Sequence, residues 1–294
     1  MVAHFLTKRT KDVKKRSYAI GWDGKGCIPG GALKAIAEIF DPDDFDCVST
    51  ASIGTLNGYA YLNRILPEAE KMWLSISANT DVRWIMKTMR SSFVDQITSS
   101  IVVSDQINKS FYVPLLEFNQ RRLVYQDFSK IDAGQIKDYL MASVAMPFYS
   151  SGVKIGTHRY FDGAMVDNIP VFPLVDRDLD YILCIYFDNY NYMFENKEFS
   201  KKIIKLTFPD NTFISNSIIL SENRTQYMLQ EGYQRTKNIL ETIFRNGTED
   251  LECIQKKMSE FEFKNREQKT RITGDFLVSN INKVAQKIAR KVTL

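Results

Sequence analysis

The sequence of 294 residues is poor in histidine: His4 and His158 are its only two. Chemistry that needs several imidazoles, multi-histidine zinc sites included, is therefore excluded. Cysteine is scarce too. Cys27, Cys47, Cys184 and Cys253 are scattered and form no C-x-x-C pair. A disulfide framework is not expected, and a reducing compartment such as the cytoplasm fits. Long apolar runs are missing as well. The longest, Tyr181–Phe187, has seven residues, against the roughly 20 that a membrane-spanning helix needs. The basic N-terminus has no apolar stretch behind it, so a secretory signal is not expected.

What is present is an ordinary globular composition, 44% hydrophobic and 25% charged, with enough apolar material for a large core. The length allows two domains, or one large α/β domain with an extension. Charge is uneven. Residues 1–16 carry six Lys/Arg against one Asp, and residues 255–294 carry ten against four acids. Such ends suit an anionic partner, above all a membrane surface, and they equally suit solvated lysine that aids solubility. Nucleic acid is a poorer partner, because no aromatic-basic platform or known module is present.

Hydrophobic patterning predicts a basic arm over 1–16 and a strand over Ser17–Trp22, followed by the turn GWDGKGCIPGG. A helix over Ala32–Phe40, a buried strand over Asp46–Ala51 and a helix over Gly54–Ile65 follow. Strand, glycine turn, helix, strand, tight turn and helix in succession indicate a parallel sheet with helical crossovers. Residues 67–100 read as helical, Ile101–Asp105 as a strand, and Phe111–Asp127 as a hairpin turning at Asn119–Gln120. Ala133–Ala145 reads as a helix, Gly152–Phe161 as a second hairpin, and Tyr181–Phe187 as a central strand. Beyond about residue 200 the pattern becomes amphipathic helix, clearest over Asn223–Phe244 and Phe276–Val292. The expected organisation is an N-terminal arm (1–16), an α/β domain (17–200) and a helical C-terminal region (201–294) packed on or appended to the core.

Three short segments carry chemistry. In Val48-Ser-Thr-Ala-Ser52-Ile-Gly54, a serine lies between the end of a buried strand and the start of a helix. Such a turn holds a hydroxyl above the sheet edge and aims helix N–H groups at it. A serine helix cap without chemistry would look similar. A serine at its normal pKa needs a base, and an α/β-hydrolase triad places its histidine last in the chain. No histidine follows position 158; His4 lies in the basic arm and His158 in an expected hairpin turn, where a solvated ring is the plainer reading, so a carboxylate is the favoured base. Asp162, in Phe161-Asp162-Gly163-Ala164, follows an expected strand and precedes a glycine; a plain Asx-Gly turn would read the same way. The third segment is the glycine turn at 21–31, whose N–H groups could face a developing oxyanion or a phosphate.

In order and spacing, the three segments together resemble the patatin-like phospholipases, lipid acyl hydrolases that use a Ser–Asp dyad. The likeness covers residues 17–188. It rests on Gly21-Trp-Asp-Gly24-Lys25-Gly26 with Pro29, Gly31, Leu33 and Lys34, and on Ser52, Gly54, Leu56 and Asn57. It rests further on Ala142-Ser143-Val144-Ala145-Met146-Pro147, on Asp162, Gly163, Ala164, Asn168 and Pro170, and on Glu231-Gly232-Tyr233. The resemblance implies an α/β fold with a mostly parallel central sheet sandwiched by helices, related to the α/β-hydrolases, with a helical C-terminal extension. It implies Ser52 as nucleophile and Asp162 as general base, and an oxyanion hole from Asp23, Gly24, Lys25 and Gly26. Gly54, Asn57, Gly163 and Asn168 would support the site. The substrate would be a (lyso)phospholipid or other acyl-ester lipid, with no metal or cofactor required.

Three positions depart from the family's pattern. Trp22 and Asp23 stand where it has glycine, and Thr50 replaces the glycine two residues before the serine. An impaired member serving as a membrane- or partner-binding module, or an acyltransferase, are the alternatives. For membrane contact, the sequence offers the basic arm and the helix at 276–292. There Leu277, Ile281, Val284 and Ile288 share a face, with Lys283, Lys287, Arg290 and Lys291 largely off it. A helix packed on the core with a basic rim would show the same pattern.

Overall fold

A computed structural model describes residues 16–20, 27–78, 95, 98–99, 101–104, 106–132, 134–148, 150–187, 197–208, 222–244, 252–261 and 263–264. The expected arm, the turn at 21–26 and the helix at 276–292 lie outside the described residues. Along the chain come β1 (Arg16–Ile20), α1 (Cys27–Ala37), β2 (Cys47–Thr50), α2 (Gly54–Leu62) and α3 (Leu66–Ala78). There follow β3 (Ser110–Glu117), β4 (Arg122–Asp127), α4 (Ile136–Ser143), β5 (Val153–Ile155) and β6 (His158–Asp162). β7 (Tyr181–Phe187), α5 (Lys197–Lys201), β8 (Ile203–Phe208) and α6 (Glu222–Phe244) complete the described elements of a compact unit that ends at Leu251. A second unit, Glu252–Leu294, contains a helix over 252–261.

β3, β2, β1, β7 and β8 lie side by side and parallel. Parallel neighbours need crossover connections, which puts helices over the faces. One face carries Val48, Phe111, Val113, Leu183, Ile185, Ile204 and Leu206, all buried. α2 covers part of it, with Gly58 set against Thr50 and Phe111. α1 lies across α2, α3 and α6. The opposite face carries Cys47, Ile182, Cys184 and Ile203, packed under Ile169, Val171, Leu174 and Leu179 and under Phe199 of α5. The sheet is thus mixed but mostly parallel, between two layers, as the resemblance implies.

The antiparallel strands place the site. β2 pairs with β3 over Ser110–Tyr112, and β6 pairs antiparallel with β3 over Leu115–Glu117. β4 runs along β3 from Tyr112 to Glu117, so β6 takes the other edge. The Phe111 N–H turns toward β4 and donates to Asp127 Oδ1 (3.2 Å), which leaves β2 on the edge used by β6. β2 and β6 therefore run head to head along one edge of β3. Pro114, which has no N–H to offer a partner, stands at the gap between them.

Three readings of the sequence need correction. The stretch from Ile101 is not a strand: Val102 N–H closes a helical turn on Thr98 O (3.0 Å), and the Val103 and Ser104 N–H groups both donate to Tyr59 Oη (3.1 Å each). A buried tyrosine satisfies this backbone in place of a ladder. The first helix starts at Cys27 rather than Ala32, because Pro29 is tolerated in a first turn. β8 was not apparent in the sequence and lies within the range read as helical.

Candidate active site

Ser52 is separated from β2 by Ala51 and from α2 by Ile53. The turn is closed by Gly54 N–H to Ala51 O (3.0 Å) and Thr55 N–H to Ser52 O (2.8 Å). Ser52 has φ +52°, in the left-handed region that non-glycine residues seldom occupy. Such strain is typical where a side chain must be held in one place. The residue is 3% exposed, next to the positive end of the α2 dipole. Thr50 is accommodated by a glycine elsewhere. A Cβ on Gly58 would lie 2.7 Å from Thr50 Cγ2, so Gly58 leaves the room that the threonine methyl fills.

Asp162 ends β6 and caps a 3₁₀ turn over Gly163–Met165. Its Oδ1 accepts from Ala164 N–H (2.9 Å), and its own N–H donates to Ala145 O (2.9 Å). Its Oδ2 accepts the hydroxyl of Ser52. The carboxyl is 1% exposed. Burial pushes its pKa up from the ordinary 3.8 to about 7, against the opposing pull of the Ser52 and Ala164 hydrogen bonds. Gly163 admits no side chain, since a Cβ there would lie 2.6 Å from Pro114 C and O. That close approach keeps Asp162 pressed into the gap between β2 and β6.

The other expected residues fall in different places. Asn57, fully buried in α2, accepts from Trp73 Nε1 (2.9 Å) and ties α2 to α3. Asn168 sits half-buried on the loop after Asp162. Asp23, Gly24, Lys25 and Gly26 lie outside the described residues. His158 is four residues before Asp162 on β6, about 13 Å away along an extended strand. Its Nδ1 lies 2.5 Å from Glu117 Oε1. A hydrogen bond from Arg122, with a lesser one from His158, holds the Glu117 carboxyl below the usual range against its desolvation.

Sequence reasoning missed two anchors. Ser49 Oγ, on β2, donates to Pro170 O (2.5 Å), and Tyr125 Oη, on β4, donates to Asp167 Oδ2 (2.5 Å). Both pin the loop that follows Asp162, and both are contacts between residues far apart in sequence. Within the Ala142–Pro147 segment, the Ala145 carbonyl is what accepts the Asp162 N–H. Chemically, the arrangement joins a buried hydroxyl to a buried carboxylate with no imidazole between them.

A model of the family described as patatin-like phospholipase matches residues 24–175. No curated protein matches the sequence. Among solved structures, VipD from Legionella pneumophila aligns with 11% identity over 78% of this chain and 67% of that chain, with a TM-score of 0.43. The type III effector protein ExoU aligns with 13% identity over 84% and 54%, TM-score 0.40. ExoU in its heterodimeric complex with SpcU, from the type III secretion system of Pseudomonas aeruginosa, aligns with 14% identity over 91% and 63%, TM-score 0.36.

Proposed function

The chain belongs to the patatin-like phospholipases, and from that membership we propose that it is a serine lipid acyl hydrolase of phospholipase A or lysophospholipase type. Ser52 Oγ attacks the carbonyl carbon of an acyl ester while Asp162 takes its proton. The tetrahedral oxyanion collapses, the alcohol leaves with that proton, and an acyl-serine remains. Water then attacks the acyl-serine. Asp162 accepts the water's proton and returns it to Ser52 Oγ as the fatty acid departs. A carboxyl with a pKa of about 7 suits this task, because a base works best when its pKa lies near the working pH. The backbone N–H groups of Asp23, Gly24, Lys25 and Gly26 are assigned to the oxyanion by resemblance. Loss of one such donor typically costs about 10²–10³ in rate.

The observation that carries this reading is the hydrogen bond from Ser52 Oγ to Asp162 Oδ2, between two buried side chains. A fluorophosphonate probe should label the protein, and Ser52→Ala should abolish both labelling and fatty-acid release from phosphatidylcholine and its lyso form. Asp162→Asn should lower release by about 10²–10⁴. Full activity in that variant would remove the dyad from consideration. Mass spectrometry of the products separates hydrolysis from transfer to another acceptor.

A further inference from the structure

Three exposed apolar side chains spring from the two segments that meet at the Asp162 N–H to Ala145 O bond. Phe148 is 92% exposed, Met165 57% and Val166 64%. Phe148 lies three residues beyond Ala145, and Met165 and Val166 lie three and four beyond Asp162. A chain spans at most about 3.6 Å per residue, so each lies within about 14 Å of that bond. Phe148 occupies a turn closed by Ser150 N–H to Met146 O (3.0 Å) and has φ +72°. A bulky residue avoids that region. Here the turn holds a phenyl ring out in water, which neither the core nor the dyad requires.

The two segments themselves carry no charge, and the charges beside them include Asp167, next to Val166, and the Arg159 guanidinium, which donates to Ser151 O. No Asp, Glu, Lys or Arg occurs over 139–153 or over 163–166, in a chain that is 25% charged. Large apolar side chains held out in water complement hydrocarbon rather than a charged headgroup or a polar protein face. We propose that Phe148, Met165 and Val166 insert into the outer hydrocarbon of a phospholipid bilayer and set the buried dyad at the level of the acyl esters. The choice of a lipid partner rests on the hydrolase reading; the site of contact rests on the exposed side chains. This places the membrane contact beside the reaction centre and not at the basic ends.

The test uses the full chain carrying Ser52→Ala, so that lipid is not consumed, and phosphatidylcholine vesicles collected by sedimentation. The parent should bind almost equally between about 0.05 and 0.5 M NaCl, since hydrocarbon insertion is not screened. Adding Phe148→Ser, Met165→Ser and Val166→Ser should cut partitioning by roughly tenfold or more, with an unchanged melting temperature. Phe148→Ser alone should weaken binding, whereas Phe148→Trp, which keeps an interfacial ring, should restore it; this pair decides the matter if the triple variant melts early. Binding unaffected by the serine substitutions would overturn the proposal. So would a parent that ignores phosphatidylcholine, or one whose binding needs anionic lipid and is lost at high salt, as charge at the termini would require. A Ser52-intact chain that binds vesicles through this rim but releases no fatty acid would defeat the hydrolase reading and leave the rim standing.

Discussion

The buried carboxyl of Asp162 costs stability when it is ionised. Burial raises its pKa from 3.8 to about 7, so the folded protein holds this proton more tightly than the unfolded chain does. Its contribution to stability is therefore fully present below about pH 4. It is lost as pH rises to about 7, above which the whole cost of a buried charge is felt. Asp162→Asn keeps the size and removes the charge. At pH 8 that variant should be more stable than the parent by up to about 4 kcal/mol, each pKa unit being worth about 1.4. At pH 4 the gain should vanish. Chemical denaturation at the two pH values measures both, and an equal gain at both would deny the raised pKa. In the proposed mechanism the same proton governs rate, so kcat/KM should fall about tenfold per pH unit below 7 and level off above it. The sequence exposed both partners of this pair, because the serine turn and the Asp-Gly turn each have a local signature. It left unseen the burial at the meeting of two strands that raises the pKa. It also concealed Ser49 and Tyr125, since neither lies in a motif and each acts on a residue far along the chain.

Among the described elements, α1 and α6 approach each other closely. A Cβ on Gly31 would lie 1.9 Å from Leu229 O, and one on Gly232 would lie 2.2 Å from Ile28 O. The two helices touch backbone to backbone through reciprocal glycines, so neither can accept a methyl unless the pair separates. Gly30, next door, faces atoms no nearer than 3.5 Å. Gly31→Ala and Gly232→Ala should each destabilise by about 1–3 kcal/mol or more. Gly30→Ala should be neutral, or stabilise by up to about 1 kcal/mol through helix propensity. Urea titration of the three variants checks the contrast, and equal losses at Gly30 and Gly31 would contradict this packing. These glycines explain why α1 was read short. Ile28-Pro-Gly-Gly carries every local mark of a turn, and only the partner helix shows why glycine is needed inside a helix. The strongly patterned elements were legible: β3 with β4 and β5 with β6 lie where hairpins were expected, β7 where a fully apolar run marked a central strand, and α6 where helical spacing put it. β8 was missed because Ile-Ile-Lys-Leu-Thr-Phe is short, and its burial follows from pairing with β7.

For the molecule as a whole, the segment matching the family, 24–175, is not the folding unit. It omits β1, which lies between β2 and β7 and pairs with both. It also omits β7, β8 and α6, and with α6 the partner of α1. A chain cut to 24–175 would leave β2 without one neighbour and α1 without its glycine contact. Such unpaired backbone and exposed apolar surface cost far more than the 5–15 kcal/mol that typically hold a domain folded. The first compact unit, Met1–Leu251, contains every strand described and both Ser52 and Asp162. A chain ending at 251 should therefore melt in one cooperative transition and keep fluorophosphonate labelling at Ser52, whereas 24–175 should show neither. Far-ultraviolet circular dichroism with temperature, followed by mass mapping of the labelled serine, reads both properties. A broad, non-cooperative melt of the 1–251 chain would mean that the sheet and its two layers are not sufficient by themselves. The site would then depend on residues after 251 for its shape.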